Sequence, residues 1–170
     1  METEPKDVIV LGSIRRGKKK FSNIQNETKI SGEELNLILE ELENKKFIRV
    51  EEKKGLFGKK IELKITETGS DELDRKIIEI QSKWKEMKSL YENGDKQQLQ
   101  QKMEENKSFL PTMMFFGVMD MMMFSMMFSM MGIGMSDFVS QQDMADQGMD
   151  DGGMDDGGMD DGGFDFDIGF

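Results

Sequence analysis

A Met-Asp-Asp-Gly-Gly unit repeats three times in a row, at residues 149–153, 154–158 and 159–163, and this repeat limits where a folded domain can lie. From residue 136 to the end there are 11 Asp and no Lys or Arg. Chain so rich in glycine and like charge cannot bury enough apolar surface to offset the entropy of ordering it. The expectation is a disordered acidic tail over 140–170, with the fold confined to the residues before it.

The tail also explains the net charge of −11. Residues 1–70 carry 15 Lys plus Arg against 13 Asp plus Glu, and residues 71–135 carry 8 against 10, so everything before the tail is neutral. An acidic total is therefore no argument against a nucleic-acid role for the N-terminal part. Histidine and cysteine are absent. That removes imidazole general bases, thiol nucleophiles and disulfides, together with the usual zinc, iron and copper ligands. With no phosphate-binding glycine loop either, the reading is a protein that is not an enzyme, with no cofactor and no metal. Residues 1–7 are polar, without the apolar run of a signal peptide, so a cytoplasmic protein is expected.

Residues 7–69 read as three helices and a β-hairpin. Val8, Ile9, Leu11 and Ile14 mark the first helix, closed by Gly17 and the run Lys18-Lys19-Lys20. Phe21 and Ile24 belong to the second, with Ser22 as its N-cap and Ile30 in the turn beyond it. Ser31 caps the third, and Glu34 three residues later completes the pattern of a capping box. Leu35, Ile38, Leu39 and Leu42 then recur at helical spacing. Residues 47–51 read as one strand, and Ile61, Leu63 and Ile65 alternate along a second. The stretch 53–60 between them reads as a loop with two glycines and Lys53, Lys54, Lys59 and Lys60.

A long helix follows from residue 71. Leu73, Ile77, Ile80, Trp84, Met87 and Tyr91 step by four and three, the seam of a coiled coil, a helical hairpin or one helix packed on the first domain. Asn93-Gly94-Asp95 breaks it, and 97–107 reads as a further helix with Leu99 and Met103 on one face.

Three helices followed by a two-stranded hairpin with a basic tip resembles the winged helix-turn-helix family over residues 7–69. The resemblance implies a third helix, residues 31–45, that enters the DNA major groove, and a wing that touches phosphate. On that helix Glu33, Glu34, Glu40, Glu41 and Glu43 carry the wrong sign for phosphate, leaving Asn36 and Asn44 as neutral polar readers. The wing lysines and the run Arg15, Arg16, Lys18, Lys19 and Lys20 are the candidate contacts to nucleic acid or ribosome. Ordinary solvated surface is the alternative for all of them. The expectation is weak nucleic-acid binding, with contact to protein, ribosome or translation factors ranked above sequence reading.

Residues 113–135 contain 11 methionines and a single charge, Asp120. Met113, Met114, Phe115, Phe116 and Met119 precede it; Met121, Met122, Met123, Phe124, Met126, Met127, Phe128, Met130 and Met131 follow it. Methionine is unbranched and polarizable, so a surface lined by it can mould to varied apolar partners. In composition the stretch resembles the methionine-rich regions of the signal recognition particle and of ubiquilin-type chaperones. That resemblance implies capture of hydrophobic segments of client proteins. Competing readings are a membrane span, given about 20 apolar residues, and a self-association core. Ser125 and Ser129 suit helix packing in lipid, whereas Asp120 opposes insertion. At the C-terminus Phe164, Phe166, Ile168 and Phe170 alternate with Asp and Gly and resemble the docking tips of single-stranded-DNA-binding and ribosomal stalk proteins.

The sequence thus reads as an α+β chain: a winged-helix-like domain (1–70), a long helix or helical hairpin for connection or dimerisation (71–109), a methionine-rich apolar helix (110–139) and the tail. The favoured function is a homo-oligomeric adaptor or chaperone-like factor. The alternative is a dimeric winged-helix transcriptional regulator paired through the 73–91 seam, or a membrane-anchored version of either.

Overall fold

The computed structural model describes residues 5–140; the aspartate repeats and the aromatic tip lie outside them. α1 (Pro5–Arg15) opens with Pro5, whose missing N–H costs nothing in a first turn. Every residue from Asp7 to Ile14 in it is buried. It is therefore the central helix, covered by α2 (Phe21–Thr28), α3 (Gly32–Asn44) and the elements that follow.

α3 begins as expected, with the Ser31 hydroxyl accepting from the Glu34 amide. The Glu34 side chain, however, pairs with Lys6 on α1 instead of returning to the cap. Leu35, Ile38 and Leu42 enter the core, and Leu39 packs at its edge. Ser22 does not cap α2. The N-cap position is Lys20, in extended conformation and without a side-chain cap, because the Leu63 amide donates to the Lys19 carbonyl at 2.8 Å and ties this stretch to the hairpin.

The hairpin is longer than the expected strands. β1 (Ile48–Gly55) and β2 (Gly58–Ile65) pair antiparallel from Ile48↔Ile65 out to Gly55↔Gly58. The stretch expected as a loop is thus ladder, apart from Leu56 and Phe57. Backbone pairing there needs only the peptide groups, and Gly58 takes the positive φ (+126°) that lets the turn close.

α4 (Glu67–Glu92) starts where the hairpin ends. The Thr66 hydroxyl accepts from the Gly69 amide and donates to the Lys46 carbonyl at 2.6 Å. Gly69 passes so close to the backbone just before β1 that an added Cβ would lie 2.0 Å from the Phe47 carbonyl oxygen, so only glycine fits.

α4 spans two cores. Leu73 completes the first, with Val8, Val10, Leu11, Ile24 and Leu35. Ile80, Trp84 and Met87 belong to a second, closed by α5 (Lys96–Glu105), α6 (Leu110–Phe115) and α7 (Met121–Met131). Leu99 and Met103 pack there fully buried. The heptad-like seam is therefore satisfied within the chain, which overturns the 73–91 dimer interface: its central side chains are already covered.

The methionine-rich stretch is two helices, not one. Gly117 (φ +63°) ends the first, and Asp120 caps the second by accepting from the Met123 amide. Gly132 closes it in the left-handed region. No helix among the described residues is long and apolar enough to cross a membrane, which removes the single-helix membrane span expected over 113–135. The lone charge of the segment is thus a helix start signal. The expected lipid-packing pair is also otherwise engaged, Ser129 donating to the Ser125 carbonyl in its own helix.

Candidate nucleic-acid interface

α3 and the hairpin flank an open groove of about 540 Å³, with Phe21, Leu39, Val50, Ile61 and Leu63 on its walls and Glu40 and Glu43 at its rim. α3 turns Glu33, Asn36, Leu37, Glu40, Glu41, Glu43 and Asn44 to solvent. The carboxylates expected to repel phosphate do face outward. Lys45, at the end of the helix, bonds Glu41 and lies 3.7 Å from buried Asp7. Burial works against its charge, but the hydrogen bond to Glu41 and the pull of Asp7 win and hold the ammonium above its ordinary value. The pair fastens α3 to α1, so the outward face of α3 sits on a rigid support.

The wing has the opposite sign. Its distal half, residues 53–60, carries Lys53, Lys54, Lys59 and Lys60 and no carboxylate. Lys53 pairs with Glu62 at 2.9 Å and Lys59 with Glu52 at 3.3 Å, whereas Lys54 and Lys60 make no ion pair among the described residues. A further bridge from Lys64 keeps the Glu51 carboxyl below its usual value, and Lys53 does the same for Glu62. At the tip Leu56 and Phe57 are fully solvent-exposed, at 100% and 102%. Covering either would be worth about 1.5–3 kcal/mol, so their exposure on a lysine-flanked turn is conspicuous.

The basic run of residues 15–20 divides in two. Arg15 pairs with Asp74 on α4. Arg16 pairs with Glu27 at 3.6 Å, donates to the Phe115 carbonyl at 2.8 Å and lies 4.2 Å over the Phe115 ring. Arg16 thus joins the two cores and has a structural task, as does Gly12, where an added Cβ would meet the Phe116 ring at 2.4 Å. Lys18, Lys19 and Lys20 make no ion pair among the described residues and stay available to a polyanion beside the base of the wing.

The fourteen side chains expected to hold clients separate by depth. Met113, Met114, Met119, Phe124, Met127 and Phe128 are core. Phe115, Phe116, Met121, Met123, Met130 and Met131 are half-buried, and Met122 and Met126 are exposed. The six core residues cannot line an open groove, because they already cover one another, Trp84 and Leu99.

Central helix, capped third helix, hairpin wing and following long helix define a winged helix-turn-helix protein. The family model for HxlR-like helix-turn-helix proteins matches residues 5–93, α1 through α4, and the chain belongs to that family. The methionine-rich core from α5 onward lies beyond the matched span. No curated protein and no solved structure matches the chain.

Proposed function

We propose that the chain is a dimeric DNA-binding transcriptional regulator in which the wing supplies most of the attraction to phosphate. Membership of a helix-turn-helix family carries this reading, and Lys54 and Lys60 on the distal wing, without an ion pair among the described residues, supply the cationic contact. α3 would contribute selectivity at low affinity: Asn36 suits adenine and exposed Leu37 suits a thymine methyl, while the surrounding carboxylates keep it off unsuitable duplex. Two copies reading two half-sites would need a self-complementary surface away from the covered α4 seam. Exposed Ile78 on α4 and Met122 and Met126 on α7 supply apolar area for it.

Duplex binding measured across a salt series tests the reading. The expected result is a steep fall of affinity with salt, and enrichment of particular sequences when a random duplex pool is selected. No binding to any duplex at low salt would overturn it. Capture of apolar protein segments, the rival function, draws now on Met122 and Met126. It requires crosslinking of clients through those two positions.

A further inference from the structure

The wing tip combines features that phosphate contact does not require. A two-residue turn favours Asn-Gly or a similar pair, yet here it is Leu56-Phe57, both at negative φ, with Gly58 taking the left-handed step. Both side chains are fully exposed, with no contact to either core. Such an apolar tip is an aggregation liability, and a departure from turn chemistry of this kind is expected where function demands it. Immediately behind it stand Lys53, Lys54, Lys59 and Lys60, two on each strand and with no carboxylate among them. The charge therefore selects a polyanion, and the apolar pair selects something within that polyanion to be inserted into.

We propose that Leu56 and Phe57 form a wedge that enters the DNA minor groove and partly unstacks a base step, while Lys54 and Lys60, which make no ion pair among the described residues, grip the phosphates on either side. The inference rests on the DNA-binding reading and adds its mode: recognition through deformability. The minor groove, about 6 Å wide, takes the slim end of a two-stranded ribbon, and apolar wedges there kink the duplex toward the major groove. Flexible pyrimidine–purine steps are the preferred sites, because they unstack at least cost. Acidic α3 fits this arrangement. Its carboxylates weaken the hold of that helix on the duplex and leave the wing tip to supply the anchoring contact.

The test uses the full chain and a short duplex with 2-aminopurine beside a central TA step and a fluorophore pair at its ends. Binding should raise 2-aminopurine emission several-fold and shorten the end-to-end distance. The double variant Leu56→Ala, Phe57→Ala should still bind, with an unchanged salt slope, but lose both signals. Phe57→Leu should restore them, because the wedge needs apolar bulk and not an aromatic ring. Binding by the natural chain without unstacking, or unstacking that survives the double alanine variant, would refute the wedge and leave the regulator reading standing. No duplex binding at all would refute both. Flotation with phosphatidylglycerol vesicles that depends on Leu56 and Phe57, in the absence of DNA unstacking, would make the tip a membrane contact and the proposal wrong.

Discussion

The two cores of this chain are built from different materials on one shared helix. The first is made of Val, Ile and Leu from α1 to α4, side chains whose branching leaves few rotamers. The second is made largely of Met and Phe around Trp84. Branched packing suits a platform that must hold α3 and the wing in fixed relation. Methionine packing tolerates rearrangement, because each flexible side chain can fill small gaps that its neighbours leave. The family match ends with α4, the element that both cores use. The methionine-rich core thus reads as an adaptable addition to the winged-helix unit, clamped to it by Arg16 and Gly12.

The largest expected effect tests whether the second core has one keystone. Trp84 touches Phe124 across a 6.4 Å ring separation and closes the α4–α5 hairpin. Trp84→Ala should cost about 3–5 kcal/mol in the unfolding of that core, read by circular dichroism in a urea series. A loss below about 1 kcal/mol would show that the methionines refill the space and that Trp84 is replaceable.

Leu35→Ala, in the first core, should cost about 2–5 kcal/mol because branched neighbours cannot close the cavity. Met103→Ala, equally buried, should cost less, near the lower end of that range, because the flexible methionines around it close part of the cavity. Equal losses would erase the distinction between the two cores.

Smaller still is an acid effect confined to ion-paired carboxylates. Burial raises the Glu79 carboxyl, but hydrogen bonds from Lys76 and Lys83 and their charges outweigh it and leave the group below its ordinary 4.5. Glu51 and Glu62 on the wing are held down by Lys64 and Lys53. A carboxylate with a depressed folded value contributes stability that is fully present above its unfolded value and lost as pH falls through the folded one. Stability should therefore be flat above about pH 5 and decline below about pH 4.5, followed by thermal melting. A decline beginning near neutrality would contradict the assignment.

The sequence made some of this legible and hid the rest for physical reasons. Ser31 and the Leu35–Leu42 spacing are local signals, and α3 forms as they predict. The heptad steps through Trp84 correctly mark a buried stripe, but periodicity says nothing of what covers it, and here α5 to α7 do so instead of a second copy. Asp120 carries both the signal of a cap and the cost of a charge in lipid; the cap is what forms. Lys53 to Lys60 read as loop because lysine and glycine are poor strand formers, yet a ladder needs only backbone. The engagement of Arg16 with Phe115 spans 99 positions, beyond any local pattern.

The central claim is that the wing, not α3, draws the protein to DNA. The direct measurement is the slope of log affinity against log salt for duplex binding by the natural chain and two variants. For Lys54→Ala with Lys60→Ala, the account predicts weaker binding and a slope shallower by about 1.8, two phosphate contacts at about 0.9 each. For Glu40→Gln with Glu41→Gln it predicts tighter binding, because two carboxylates facing the duplex are neutralised. An unchanged slope in the lysine variant, together with weakened binding in the glutamine variant, would place the interface on α3 and contradict the account.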